Sequence, residues 1–299
     1  MNTMPQILIV GYGEMGHALQ ALLEARNHVE IWPVTPEHTE LPDNVLRLLP
    51  ETELVCIPAV AHVPILRQLF AHLTYDTITL SVAKGVDDAG YITAEILAMT
   101  AETHHPWGVL CGPMISHEIM AGKLAYAQAG IHDPVLFGRI ARFFSGSNLR
   151  LNYSPYPQAA SWCAVLKNVY APLFGIVDEL QLGDNVRGWL LMAVINEMDR
   201  LVENLSGIKH TVFKAAGLAD LMTTVTSPTS HHRALGRRIA RGDIRDLHSE
   251  GTHTLAVLNR LHRIKASDWP LYEIAVGLVT EPLGVPDALR NWLSMVVTK

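Results

Sequence analysis

The chain opens on an unbroken apolar run. "QILIVGY" (residues 6–12) has no polar residue between Ile7 and Val10 and stops at glycine, the pattern of a strand buried on both faces. The following "GEMGHALQALLEARN" places Met15, Ala18, Leu19, Leu22 and Leu23 at helical spacing, and "HVEIW" returns to strand. The alternation continues. "ELVCIPA", "TITLSVA", "WGVLCG" and "LAYAQAGI" read as strands, separated by the helical patterns "VPILRQLFAHL", "ITAEILAMT" and "DPVLFGRIARFF". Strand after helix after strand, up to about Leu151, predicts an α/β fold with a doubly wound parallel sheet.

From Pro155 onward the period changes. "PQAASWCAVLKNVYAPLFGIVDEL", "NVRGWLLMAVINEMDRLVENL", "TVFKAAGLADLMTTVT", "THTLAVLNRLHRI" and "PLYEIAVGLV" are all helical, several of them apolar on more than one face. An all-α C-terminal domain is expected, with the boundary near Tyr153 and neither a low-complexity linker nor an internal repeat.

Composition narrows the function classes. Of 299 residues, 49% are hydrophobic and 17% charged, enough apolar surface for a sizeable core. The formal net charge of -6 offers nucleic acid no footprint, and the densest basic run, Arg233 to Arg245, also holds Asp243. Cys56, Cys111 and Cys163 are scattered through apolar surroundings without CxxC spacing, which suits a reducing cytoplasm. No apolar run is read as approaching the roughly 18 residues of a membrane span, and the N-terminus lacks a leader pattern, so a soluble, untargeted chain is expected. The histidine pairs His104-His105 and His231-His232 have adjacent rather than ligand spacing, with no HxxxH or HExxH, and no metal is expected.

Chemistry is carried by a few positions. "GYGEMG" sets Gly11, Gly13 and Gly16, with Tyr12, Glu14 and Met15 between them, after a strand and at the start of a helix. That is the setting of a dinucleotide fingerprint, in which the helix N-terminus offers N–H groups to a pyrophosphate, so NAD or NADP is the expected cofactor. The second strand ends in "EIWPVTPEH", with neither Glu30 nor Glu37 well placed for a ribose, and the choice between NAD and NADP stays open.

"LSVAKG" puts Lys84 at the carboxyl end of a strand, where such folds bind ligands, although by frequency alone a solvated loop lysine is the commoner case. Lys167 and Asn168 interrupt the apolar pattern of "LKNVYAP"; a buried lysine has a partner or a catalytic use, and desolvation lets it give a proton near neutral pH. Asp220 and Thr224 share one helix face, so the carboxylate could hold a lysine while the hydroxyl addresses a substrate oxygen. An ordinary interhelical salt bridge would explain Asp220 as well.

These pieces together resemble the NAD(P)-dependent glycerol-3-phosphate dehydrogenases over almost the whole chain. The matches run in order: "GYGEMG", "SVAKGV", "CGP" with Glu118, "LKNVYA", "LGDN", "NEM", "GLADLMTTVTSP" and "EGTHT". The resemblance implies a dinucleotide-binding domain over residues 1–153 and a helical substrate and dimerisation domain over 154–299. It further implies interconversion of dihydroxyacetone phosphate and sn-glycerol 3-phosphate by hydride transfer, in a cytoplasmic homodimer.

In that pattern Lys167 is the general acid/base, Lys84 helps hold and polarise the substrate, Asp220 and Thr224 orient Lys167 and the substrate, and Asn168 lies near the phosphate. Pro58, Lys84 and Glu250 join the glycine turn on the cofactor. His231 and His232 stand, before Arg233, where bacterial members carry a phosphate-binding Arg-Asn pair, and Ala193 stands where an arginine is usual. The "GPSFA" pattern reads "GPMIS", and Trp32-Pro33-Val34-Thr35 replaces Trp-x-Arg-Asp. A diverged relative reducing another small carbonyl or imine, or a nucleotide-binding relative without turnover, are the competing readings.

Overall fold

The computed structural model describes residues 6–46, 50–74, 76–101 and 105–295. Its strands form one seven-stranded sheet of order β2-β1-β3-β4-β5-β6-β7. They are β1 (Gln6–Val10), β2 (His28–Trp32), β3 (Thr52–Val55), β4 (Ile78–Ser81), β5 (Trp107–Cys111), β6 (Ala125–Gly130) and β7 (Leu149–Ser154). Between them run α1 (Glu14–Leu23), α2 (Asp43–Leu46), α3 (His62–Phe70), α4 (Thr93–Thr100), α5 (Ser116–Met120) and α6 (Pro134–Phe143). Strands β1, β3 and β4 are buried almost throughout, β1 as an unbroken apolar run and β3 and β4 with the polar Thr52, Glu53, Thr79 and Ser81 taken into the interior as well.

The sheet departs from the expected all-parallel form at one place. β6 runs antiparallel to β5, and β7 then pairs parallel with β6. The chain between Cys111 and Ala125 contains only the five-residue α5, too short a helix to span the sheet and restart a strand in the same direction.

The remaining chain is helical: α7 (Pro157–Glu179), α8 (Asp184–Ser206), α9 (Asp220–Thr226), α10 (His231–Ala240), α11 (Glu250–Arg260), α12 (Pro270–Thr280) and α13 (Val285–Met295). Two compact units result, one of residues 1–87 and 91–161, the other of 88–90 and 162–299. The division between them falls inside α7. The expectation that no apolar run could span a membrane is also corrected here. α7 has the length and composition to do so, but its apolar window is wholly buried in the fold.

Within the second unit, α7 and α10 cross backbone against backbone. A Cβ on Gly175 would stand 2.0 Å from the Arg233 carbonyl oxygen, and one on Gly236 1.8 Å from that of Pro172. Pro172 has no N–H to give the Asn168 carbonyl one turn earlier. Gly251 packs against that oxygen, where a Cβ would be only 2.6 Å away. The start of α11 is thereby seated on the middle of α7.

The segment expected as one helix, "TVFKAAGLADLMTTVT", is three pieces. A 3-10 turn at Thr211–Phe213 leads into a π-helical stretch at Ala215–Ala219, and α9 begins at Asp220. Gly217 allows the tight entry, since a Cβ there would meet the Val212 carbonyl at 2.1 Å.

Candidate active site

In the first unit, the glycine turn has the shape that its sequence predicts. Gly11 sits at φ +94, and a Cβ on it would lie 2.5 Å from Ile57 Cγ2. A Cβ on Gly16 would lie 2.3 Å from the Gly11 carbonyl oxygen, so only glycine lets α1 start this close to β1. Gly13, in contrast, faces open space, leaving the first turn of α1 free to approach an anion. The turn is tied to β2 by the Gly11 N–H bond to the Trp32 carbonyl, 2.8 Å.

The Tyr12 ring stacks on His17 and its hydroxyl donates to Gln20. Glu14 opens the helix with its carboxylate accepting from Ser116 Oγ at 3.1 Å, and Met15 packs against the core. Pro58 is exposed at the end of β3, capping a 3-10 turn. Within β2, the carboxylate of Glu30 accepts from Asn44 Nδ2 at 2.7 Å, and past the strand the sequence from Pro33 to Leu46 holds three acids and neither lysine nor arginine. Lys84, half-buried after β4, donates to the Gly112 carbonyl at 3.0 Å, which ties it to the loop after β5.

In the second unit, Lys167 is 7% exposed on α7. Its Nζ donates to Thr224 Oγ1 at 2.9 Å and lies 3.4 Å from Asp220 Oδ1, and the Thr224 hydroxyl donates onward to the Asp220 carbonyl at 2.8 Å. The i, i+4 pair of α9 thus closes on one ammonium group. The hydroxyl that the sequence suggested for a substrate oxygen is engaged with the lysine and the backbone.

Next to Lys167, Asn168 is 1% exposed and its Nδ2 donates to Glu250 Oε2 at 3.1 Å, at the first turn of α11. His232 approaches the same junction, its Nδ1 lying 3.3 Å from where a Gly251 Cβ would be. His231 is exposed at the start of α10. Arg233 turns the other way, and its Nε pairs with buried Asp178, which Arg187 and Arg237 also reach. Burial would raise the Asp178 carboxyl, but the hydrogen bonds and charges of Arg233 and Arg187 outweigh it and hold the group low.

Three polar residues escaped the sequence reading. Glu197, of "NEM", is buried, and its carboxylate accepts from Tyr170 Oη at 2.8 Å and from the backbone N–H groups of Leu271 and Tyr272 at 2.9 and 2.7 Å. It is the N-terminal cap of α12, supplied by another helix. Burial pushes its carboxyl up against those bonds. Glu53, inside β3, and His62, at the start of α3, are both wholly buried. His62 stands alone between Ala61 and Val63, whereas Glu53 and Glu197 follow the polar Thr52 and Asn196 and carried no signal of their own. Among the described residues, no three His, Cys, Asp or Glu side chains gather as a metal would require; His104 lies outside those residues. Burial pushes the Cys56 thiol up to about 12.

Comparison with known proteins bears on both units. The N-terminal family of NAD-dependent glycerol-3-phosphate dehydrogenase matches residues 50–136 and its C-terminal family residues 158–290. A curated glycerol-3-phosphate dehydrogenase [NAD(P)+] of Synechococcus is 31% identical, covering 95% of each chain. One from Agrobacterium fabrum is 29% identical, covering 98% of each. The crystal structure of glycerol-3-phosphate dehydrogenase from Coxiella burnetii shares the fold, with a TM-score of 0.80 at 22% identity over 97% of this chain and 99% of that one.

Proposed function

Because the chain belongs to the NAD-dependent glycerol-3-phosphate dehydrogenase family, we propose that it interconverts dihydroxyacetone phosphate and sn-glycerol 3-phosphate, using NAD or NADP. The observation that carries this reading is the buried Lys167 ammonium held between Asp220 and Thr224.

The dinucleotide, when bound, supplies or accepts the hydride. Gly11, Gly13 and Gly16 with the start of α1 would hold its pyrophosphate, and Tyr12, Glu14, Met15, Pro58 and Glu250 would border it. During reduction, negative charge develops on the C2 oxygen of the substrate, and Lys167 Nζ gives it a proton. In the reverse direction the same amine takes that proton. Asp220 balances the ammonium charge that burial would otherwise make costly, and Thr224 fixes its direction. Lys84 would hold and polarise the substrate. Asn168, His231, His232 and Arg233 are assigned to the substrate side, with Asn168 nearest the proton donor.

A cytoplasmic location and a homodimer formed through the helical unit belong to the same proposal. Trp189 and Met192, exposed one turn apart on α8, support the second point. A thermal-shift screen with NAD, NADP and their reduced forms, with and without sn-glycerol 3-phosphate, tests the binding half. A cofactor-dependent rise in Tm is expected by mass action, and no shift with any dinucleotide would overturn the proposal.

A further inference from the structure

His62 stands on α3, apart from the glycine turn and both lysines, yet it is 0% exposed and fully engaged. Its Nδ1 lies 3.0 Å from the Pro58 carbonyl oxygen and its Nε2 2.8 Å from Ser81 Oγ. A carbonyl can only accept, so Nδ1 carries the proton and Nε2 accepts from the Ser81 hydroxyl. Ser81 Oγ in turn accepts the Ala83 N–H at 3.2 Å. The bonds run in one direction, from Ala83 through Ser81 to His62 and on to Pro58.

The two ends of that chain are the loops at the carboxyl ends of β3 and β4, where doubly wound folds bind their ligands. One carries Pro58. The other carries Lys84, next to the pinned Ala83, whose carbonyl also accepts from Thr93 Oγ1 at 3.3 Å. Lys84 then reaches Gly112 after β5. Three successive strand ends are thus joined by side chains, with the imidazole as the first link.

We propose that His62 is a positioning residue for the reaction, a neutral imidazole that fixes the Lys84 loop against the Pro58 loop. The idea rests on the reading of Lys84 given under Proposed function. Burial supports it by lowering the ring to about 4, which keeps it uncharged and its hydrogen-bond direction fixed at neutral pH. A histidine serving only to fill the core would be replaceable by phenylalanine without kinetic effect. A positioning histidine would not, because small misplacements of a group that addresses substrate cost on the order of tenfold to a hundredfold in rate.

The test compares kcat, KM and Tm for the full chain and for His62→Phe, His62→Gln and Ser81→Ala, each alone and with Lys84→Ala. His62→Phe keeps the volume and removes both bonds; Ser81→Ala cuts the same link from its gentler side if the first variant folds poorly. Both are expected to lose about tenfold or more in kcat while retaining a cooperative melt, with His62→Gln recovering part of the loss. In the Lys84→Ala background the same changes should add little, since the group being positioned is gone.

A wild-type kcat in both His62→Phe and Ser81→Ala, or a loss that multiplies in full on Lys84→Ala, would overturn the positioning role alone. A wild-type chain that neither binds NAD(H) or NADP(H) in a fluorescence titration nor reduces dihydroxyacetone phosphate would instead sink the underlying reaction, and the role of Lys84 with it.

Discussion

Replacing Glu53 by glutamine should change how stability depends on pH, in a way the sheet geometry specifies. Glu53 pairs with Leu8 on one side and Thr79 on the other, at the centre of the sheet. Thr79 Oγ1 donates to Glu53 Oε1 at 2.6 Å, whereas Oε2 is buried with no hydrogen-bond partner among the described residues. One hydrogen bond does not replace the lost hydration of a carboxylate, and desolvation by burial pushes the carboxyl up to about 8 despite the Thr79 bond.

The raised group favours its protonated form in the native state, so this stabilisation is complete below the unfolded value near 4.5 and disappears as pH rises through about 8. At about 1.4 kcal/mol per pH unit, the wild type should lose about 3 kcal/mol from this group by neutral pH and about 5 across the window. Glu53→Gln keeps the acceptor for Thr79 and cannot ionise. Its buried amide costs about 1–3 kcal/mol at every pH, so the difference between the two chains, not either alone, isolates the carboxyl. Urea unfolding of both from about pH 5 to pH 8 should show the variant gaining steadily on the wild type and overtaking it at the alkaline end. Parallel stability profiles would refute the reasoning.

Other expectations follow from single contacts. Glu197→Ala strips three buried donors of their acceptor and should destabilise the helical unit by about 3 kcal/mol or more, read as a drop in Tm, with Glu197→Gln recovering part. Gly16→Ala forces a Cβ into the Gly11 carbonyl and should weaken dinucleotide binding in a fluorescence titration more than it lowers Tm. Asp220→Asn leaves the Lys167 ammonium buried without its counter-charge, so both kcat and Tm should fall, the latter by an amount reflecting about 3 kcal/mol. Val34→Arg adds a cation to a segment without lysine or arginine, and should raise affinity for NADPH relative to NADH.

Local pattern made much of this legible. The apolar runs ending in glycine located β1 and its turn, and the polar interruption at Lys167 together with the i, i+4 spacing of Asp220 and Thr224 located the ammonium and its partners. The side-chain partnerships that went unseen depend on contacts remote in sequence. Nothing around Glu197 announces a helix start at Pro270, and nothing near His62 announces Ser81. Arg233 follows two histidines in the sequence, and only the crossing of α7 and α10 brings Asp178 to it. The antiparallel β6 was hidden because a strand pattern carries no direction. α10 was hidden because its charges leave only Leu235, Gly236 and Ile239 to bury.

The reaction itself is tested most directly by following oxidation of NADH and NADPH in the presence of dihydroxyacetone phosphate, with the product identified, for wild type and Lys167→Met. The wild type should form sn-glycerol 3-phosphate, and the variant, folded and still binding dinucleotide, should lose about 10²- to 10⁴-fold in kcat as expected for removal of a general acid. A wild type that leaves dihydroxyacetone phosphate unreduced, or a methionine variant that turns over as fast, would contradict the account.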